Sequence, residues 1–382
     1  MRRLSILGST GSVGRQTLDV VRKTGGFRVT ALAARSSVDL LEKQAREFRP
    51  GLVCAYEEAA AADLKVRLAD TDIRVVSGPE GLLKAAAGVP ADLVSVSILG
   101  MIGLGPTMAA IEAGRDIAIA NKETLVTAGH LIVPLAEKAG IRLLPVDSEH
   151  GALFQCLQGE DRSRIRELIL TASGGPFRGR KWADLKDITP ADALRHPNWS
   201  MGAKITVDSS TLVNKGLEVM EAHWLYGVPY GRIRVVIHPQ SIVHSLVEFT
   251  DGSVKAQLAV PDMRLPIQYA LYYPERQEAV CGHLDLWEMQ DLHFEKPDFE
   301  NFPGLGLAYE AGKAGGSLPT VYNAANEWAV ARFLQGKLGY TQIVDTIEGA
   351  MAAHRRIPDP SLEEVLAAEA EVRARLDKGA KE

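Results

Sequence analysis

The chain has 382 residues, 46% of them hydrophobic and 24% charged, with a formal net charge of −5, the make-up of a soluble globular protein long enough for two or three domains. That balance supplies no basic patch for nucleic acid, and Cys54, Cys156 and Cys281 are too scattered, and odd in number, for a disulfide framework or a metal knuckle. The apolar run before Gly8 is too short for a signal peptide, and the uncharged stretch 93–111 is broken by Gly100, Gly103, Gly105 and Pro106; a cytoplasmic protein without a membrane span is expected.

A strand at 4–7 runs into Gly8-Ser9-Thr10-Gly11-Ser12-Val13-Gly14 and then a helix at 16–22. Such a strand, glycine loop and helix aim backbone N–H groups at an anion, as for a dinucleotide pyrophosphate, although the spacing G-x-x-G-x-x-G departs from the commoner G-x-G-x-x-G. After the next strand, 27–33, come Arg35, Ser36 and Ser37, with no carboxylate before Asp39. A cation and two hydroxyls at that point favour a ribose 2′-phosphate, hence NADP(H), over a free 2′-hydroxyl.

Further strands at 52–55, 73–76, 93–98, 116–120 and 141–146 alternate with helices such as 38–48 and 57–68. The alternation predicts a Rossmann-like, doubly wound parallel sheet over residues 1–147. From 148 to 271 strands at 166–172, 203–207, 232–238, 241–250 and 253–260, the last two joined through Asp251-Gly252, and a helix at 211–226 predict an α+β catalytic domain. Residues 272–302 read as a connector, and helices at 305–312, 321–335, 340–353 and 360–376 predict a C-terminal helical bundle over 303–382.

Asp147 and Glu149 follow the strand ending at 146; in an extended chain they point the same way and offer two hard oxygen ligands, though paired acids also suit a solvated turn. Ser209, Ser210 or Thr211 can cap the following helix, on which Asn214, Lys215 and Glu218 share a face, with Glu221 a rival carboxylate one turn on. Gly216 inside that helix costs about 1 kcal/mol against alanine and marks a close approach to the backbone. Ser173-Gly174-Gly175 could form an anion-binding nest, and His196 to Gly202, with Trp199, could form a lid. Asn121-Lys122-Glu123 and His238 also lie at strand ends. A cation site, a phosphate site and a nicotinamide site together suit reduction of a phosphorylated hydroxy-ketone or aldehyde.

These segments, with Pro145 to His150, Ser173 to Phe177, His196 to Gly202, Val207 to Ser209, Asn214 to Glu218, His238 to Ser241 and Asn323-Ala324-Ala325-Asn326-Glu327, resemble the 1-deoxy-D-xylulose 5-phosphate reductoisomerase family over essentially the whole chain. The resemblance implies a homodimer that rearranges a phosphorylated sugar on Mg²⁺ or Mn²⁺ and reduces it with NADPH, in the non-mevalonate isoprenoid pathway. It implies metal ligands at Asp147, Glu149 and Glu218, and catalytic roles for Lys122 and Glu149. Substrate positions are implied at Ser173, Ser209, Asn214 and Lys215, the serines and the lysine around the phosphate, and at Lys122 and Ser148 at the hydroxylated end. It further implies cofactor positions at Thr10, Gly11, Ser12, Val13, Asn121, Glu123 and Gly202, a flap carrying His196 and Trp199, and a histidine near the site, His238, grouped with the catalytic residues but of open role. One departure stands out: the family has Gly-Lys-Asn-like residues where this chain has Arg35-Ser36-Ser37, so the 2′-phosphate falls to Arg35. Two rivals remain, a semialdehyde-type dehydrogenase, which needs a reactive cysteine, and a non-catalytic NADP sensor, which needs no metal.

Overall fold

The computed structural model describes residues 1–199, 201–289 and 291–380. The chain forms two compact units: Met1–Thr124, Ile132–Gly151 and Asp262–His283 make the first, and Leu125–Leu131, Ala152–Pro261 and the residues from Leu284 make the second.

In the first unit β1 (Arg2–Leu7), α1 (Ser12–Thr24), β2 (Phe27–Ala34), α2 (Val38–Phe48), β3 (Leu52–Ala55), α3 (Glu58–Arg67), β4 (Arg74–Ser77), α4 (Gly78–Ala87), β5 (Leu93–Val96), α5 (Leu104–Glu112) and β6 (Asp116–Ile119) alternate, as expected. Then come α6 (Lys122–Ala139), β7 (Leu143–Pro145) and α7 (Ser148–Cys156). The seven strands pair in parallel in the order β4-β3-β2-β1-β5-β6-β7. Runs such as Leu52–Ala55 and Leu93–Val96 are buried on both faces, which is why they read as continuous apolar segments. Strand order reverses between β1 and β5, so the loop after β1 lies at the topological switch point where such sheets bind ligands.

The second unit holds β8 (Ile165–Ala172), α8 (Pro190–Ala193), α9 (Ala203–Ser210), α10 (Val213–Tyr226), β9 (Ile233–Ile237), β10 (Val243–Phe249) and β11 (Val254–Leu258). Its sheet runs β11-β10-β8-β9, with only β8 and β9 parallel. After α11 (Arg264–Tyr272), which returns to the first unit and packs on α1, the chain adds α12 (Gly304–Ala314), α13 (Leu318–Leu334), α14 (Gln342–Ala353) and α15 (Leu362–Gly379). These last four helices share one apolar core with β8 to β10 and α10.

Several details differ from the sequence reading. Residues 203–207, expected as a strand from Ile205-Thr206-Val207, form α9, held by the Lys204 to Asp208 ion pair one turn apart. Asp147 and Glu149 do not lie in extended chain: Ser148 opens α7, and the Glu149 N–H donates to Asp147 Oδ1 at 3.3 Å. Leu212, at φ +59°, is the N-cap of α10; Thr211 Oγ1 accepts from the Val213 N–H at 3.4 Å at that end, while Ser209 and Ser210 close α9 instead. The expected connector divides, 272–283 going to the first unit and 284–302 to the second. Ser200 of the flap motif and the final residues 381–382 lie outside the described residues. Among the described residues no helix is long and apolar enough to cross a membrane.

Candidate active site

The glycine loop is packed backbone on backbone. A Cβ on Gly8, at φ +91°, would lie 2.4 Å from the Ser97 carbonyl oxygen, and one on Gly14 would lie 2.1 Å from the Gly8 oxygen. Both positions therefore exclude any side chain, and the Gly8 and Ser9 N–H groups both donate to Ala33 O at 2.8 Å. Gly11 caps α1 with no side-chain hydrogen bond and no acid in the first turn, leaving an end suited to an anion, flanked by half-buried Thr10, Ser12 and Val13.

Arg35, Ser36 and Ser37 are exposed beyond β2, and Arg35 Nε donates to Glu57 Oε1 at 2.9 Å with 80% of its side chain exposed. An ion pair this exposed holds the guanidinium weakly and leaves it free to exchange partners. If Arg35 meets the 2′-phosphate, Arg35→Ala raises the KM for NADPH about tenfold, the worth of one charged hydrogen bond, and leaves the KM for NADH unchanged. Equal KM shifts for both nucleotides contradict the assignment.

Past β6, the Asn121 amide donates to Ile98 O at 2.7 Å, Gly100 O at 3.0 Å and Glu123 Oε2 at 3.0 Å, and its oxygen accepts from Thr124. Asn121, Lys122 and Glu123 are all buried. Lys122 Nζ lies 2.7 Å from Asp147 Oδ2, with side-chain exposures of 7% and 12%. Burial alone would raise the Asp147 pKa, but the charges of Lys122 and His150 outweigh it and hold the carboxyl below its usual range. The Ser148 hydroxyl donates to Glu149 Oε2. The first unit thus gathers two carboxylates, a hydroxyl and an ammonium past the carboxyl ends of β6 and β7.

In the second unit α10 carries a matching set. Asn214 Nδ2 donates to Glu218 Oε1 at 2.5 Å, Lys215 donates to Glu218 Oε2, and Lys215 and Glu218 are 3% and 1% exposed. A buried pair of this kind is weak evidence for stability and better evidence of a site that needs both charges. The close approach anticipated at Gly216 is real: a Cβ there would sit 2.4 Å from that of Ala308 on α12.

Beyond β8, His196 Nδ1 accepts from the N–H groups of Asn198 at 3.2 Å and Trp199 at 3.0 Å, so the ring carries its proton on Nε2 and donates it to Ser173 Oγ at 3.0 Å. The Gly175 N–H also donates to Ser173 Oγ, at 3.2 Å, which leaves the serine's own proton for an incoming anion. Burial depresses His196 to about 4, and the same cause takes His244, whose ring lies 6.1 Å from that of Trp199, to about 4. Both are neutral at pH 7. Between about 6.5 and 4 the unfolded chain binds protons at these histidines that the folded chain does not. Their contribution to stability is therefore complete above about 6.5 and is lost as pH falls toward 4. His196→Gln should flatten the decline of Tm across that window; an unchanged slope contradicts this.

His238 is fully buried. Its Nδ1–H donates to His293 O at 2.8 Å, its Nε2 accepts from the Ile242 N–H at 3.2 Å, and its ring stacks on Phe294. Both nitrogens are thus hydrogen-bonded to backbone. Gly202 is exposed as the N-cap of α9, and Ser209 is half-buried near that helix's end. His244 and the tether from Asn198 Nδ2 to Pro239 O at 2.5 Å were missed; a histidine inside the apolar run of β10 was the available signal. The thiols of Cys54 and Cys156 are buried and pushed up to about 12 and about 11, the reverse of what a semialdehyde-type nucleophile needs.

Three family models cover most of the chain: 1-deoxy-D-xylulose 5-phosphate reductoisomerase at residues 4–129, its C-terminal domain at 143–226, and the DXP reductoisomerase C-terminal domain at 258–375. The 1-deoxy-D-xylulose 5-phosphate reductoisomerase of Lachnospira eligens is 56% identical over 366 residues, 96% of each chain. The chain belongs to the 1-deoxy-D-xylulose 5-phosphate reductoisomerase family. The reductoisomerase of a Geobacillus species is 55% identical over 98% of each chain. Among solved reductoisomerases, that of Zymomonas mobilis in complex with NADPH is 40% identical, with a TM-score of 0.92 over 99% of each chain. A second, in complex with NADPH, fosmidomycin and magnesium, is 39% identical, with a TM-score of 0.95 over 100% of this chain and 98% of the other. The family match runs through both units.

Proposed function

We propose that this chain catalyses the NADPH- and divalent-metal-dependent rearrangement and reduction of 1-deoxy-D-xylulose 5-phosphate to 2-C-methyl-D-erythritol 4-phosphate. The observation that carries the reading is the paired carboxylate and ammonium clusters, Lys122 with Asp147 and Glu149, and Lys215 with Glu218, on a chain of this family. The residues that would hold NADPH are the loop from Thr10 to Val13 for its pyrophosphate, Arg35, Ser36 and Ser37 for its 2′-phosphate, and Asn121, Glu123 and Gly202 for further contacts.

Asp147, Glu149 and Glu218 are the residues that would hold Mg²⁺ or Mn²⁺. The donor set fits such an ion: it is all carboxylate, hard and anionic, and Asp147 is held ionised. When bound, a divalent cation supplies Lewis acidity toward substrate oxygens. The chain's own groups do the rest. Ser173, Ser209 and Lys215 take the phosphate and Asn214 binds the substrate, while Lys122 and Ser148 orient the hydroxylated end. Glu149, already accepting the Ser148 proton, is suited to hold a proton from a substrate hydroxyl. The loop bearing His196 and Trp199 excludes water before hydride transfer.

The reading implies a homodimer in the cytoplasm. A free edge at β11, with Val254 51% exposed, and the exposed Leu286 and Trp287 favour association of chains, which light scattering on the full chain tests. The activity is tested by adding 1-deoxy-D-xylulose 5-phosphate and Mg²⁺ to the chain with NADPH. Stoichiometric NADPH oxidation with formation of the branched polyol phosphate is expected; no oxidation contradicts the proposal and favours the sensor.

A further inference from the structure

The segment Asn323-Ala324-Ala325-Asn326-Glu327 lies in α13, far in sequence from every residue assigned to substrate or cofactor, yet both asparagines are fully buried. Asparagine is a poor helix former, and a buried amide is costly unless hydrogen-bonded. Asn323 Nδ2 donates to Glu327 Oε1 at 3.0 Å, and Glu327 Oε2 accepts from Arg373 at 2.5 Å, which ties α13 to α15. Asn326 Nδ2 instead donates to Asp208 Oδ1 at 2.9 Å, and its carbonyl oxygen finds no partner among the described residues. The carboxylate alone orients this amide.

Asp208 is 1% exposed in the last turn of α9, where the helix dipole disfavours negative charge. Its other oxygen takes Lys204 Nζ at 2.8 Å. On the far side of Ser209, Ser210 Oγ accepts from the Tyr340 hydroxyl at 3.2 Å. Both neighbours of Ser209 are thus anchored by buried polar bonds to other helices or loops, while Ser209 itself stays half-buried. A buried charge here is a poor way to stabilise a helix packing, since an apolar residue would serve as well or better.

We infer that Asn326 is a positioning residue for the substrate phosphate: by holding Asp208 it fixes the turn of α9 that presents Ser209, and hence the corner at Leu212 that leads to Asn214 and Lys215. The inference rests on the reading of Ser209 as a phosphate ligand. Three variants of the full chain separate the two. Asn326→Asp sets a second carboxylate against Asp208, the swapped pair Asp208→Asn with Asn326→Asp restores one amide and one carboxylate, and Ser209→Ala removes the ligand itself. Asn326→Asp should raise the KM for 1-deoxy-D-xylulose 5-phosphate about tenfold, as expected for a broken buried hydrogen bond. The KM for NADPH should stay put, kcat should change less than the substrate KM, and the swapped pair should recover most of the loss. If Asn326→Asp does not fold, Asn326→Ser, which is too short to reach Asp208, carries the same readout. An unchanged substrate KM alongside a raised one for Ser209→Ala overturns the positioning role, as does an equal rise in both KM values. An unchanged KM in Ser209→Ala overturns the phosphate-ligand reading, and this inference with it.

Discussion

Glu218→Gln loses turnover by about a thousandfold, several kcal/mol of transition-state stabilisation, the scale set by a cation that polarises a carbonyl. NADPH affinity stays within twofold of the parent as a rough bound, since the groups assigned to the nucleotide lie mostly around α1, β2 and α6. The substitution also leaves the buried Lys215 ammonium without its carboxylate, so the melting temperature must be recorded beside kcat. Parallel loss of turnover and NADPH binding, or loss of neither, contradicts the metal role. Glu221, the rival carboxylate one turn further on, offers no simple control: it is fully buried, so its replacement reads on folding.

Trp199→Ala weakens substrate capture, raising the KM for the sugar phosphate by about tenfold or more, while the KM for NADPH is nearly unchanged. Trp199 is half-buried against His244, and its loop is pinned by Asn198 Nδ2 to Pro239 O at 2.5 Å and to Ser241 Oγ at 3.1 Å. Removing the indole leaves those tethers and the His196 to Ser173 bond in place, so the groups proposed to bind the phosphate persist while the proposed cover is lost. Steady-state kinetics with each substrate varied in turn decides the matter. Unchanged KM and kcat would argue against a lid.

The nucleotide half of the fold is legible because its signals are local. Gly8 and Gly14 are required by contacts within their own loop and its neighbouring strand, and the doubly buried strands announce themselves as apolar runs. The second unit is less legible because distant residues decide its conformation. Ile205, Thr206 and Val207 have the β-branched look of a strand, yet Asp208 is met by Asn326, 118 positions away, and the segment is helical. Likewise α11 follows β11 in sequence but packs on α1, which no local pattern reveals.

Within the site, carboxylate identity is legible and geometry is not. Asp147 and Glu149 stand out by type and by their place after a strand, but the start of α7, rather than an extended chain, sets their relation. His238 stands out equally, but its backbone partners, His293 O and the Ile242 N–H, cannot be read from its neighbours in sequence. Arg35 is the reverse case: exposed and, among the described residues, ion-paired only with Glu57, it keeps the freedom its position suggests.

Turnover is expected to depend on an ion held by Asp147, Glu149 and Glu218. The most direct test is NADPH oxidation by the wild-type chain with 1-deoxy-D-xylulose 5-phosphate, measured as purified, after chelation, and after Mg²⁺ or Mn²⁺ is returned. Loss of activity on chelation and its recovery with either ion is the predicted result. Turnover that survives chelation would contradict the role of these carboxylates in holding an essential ion.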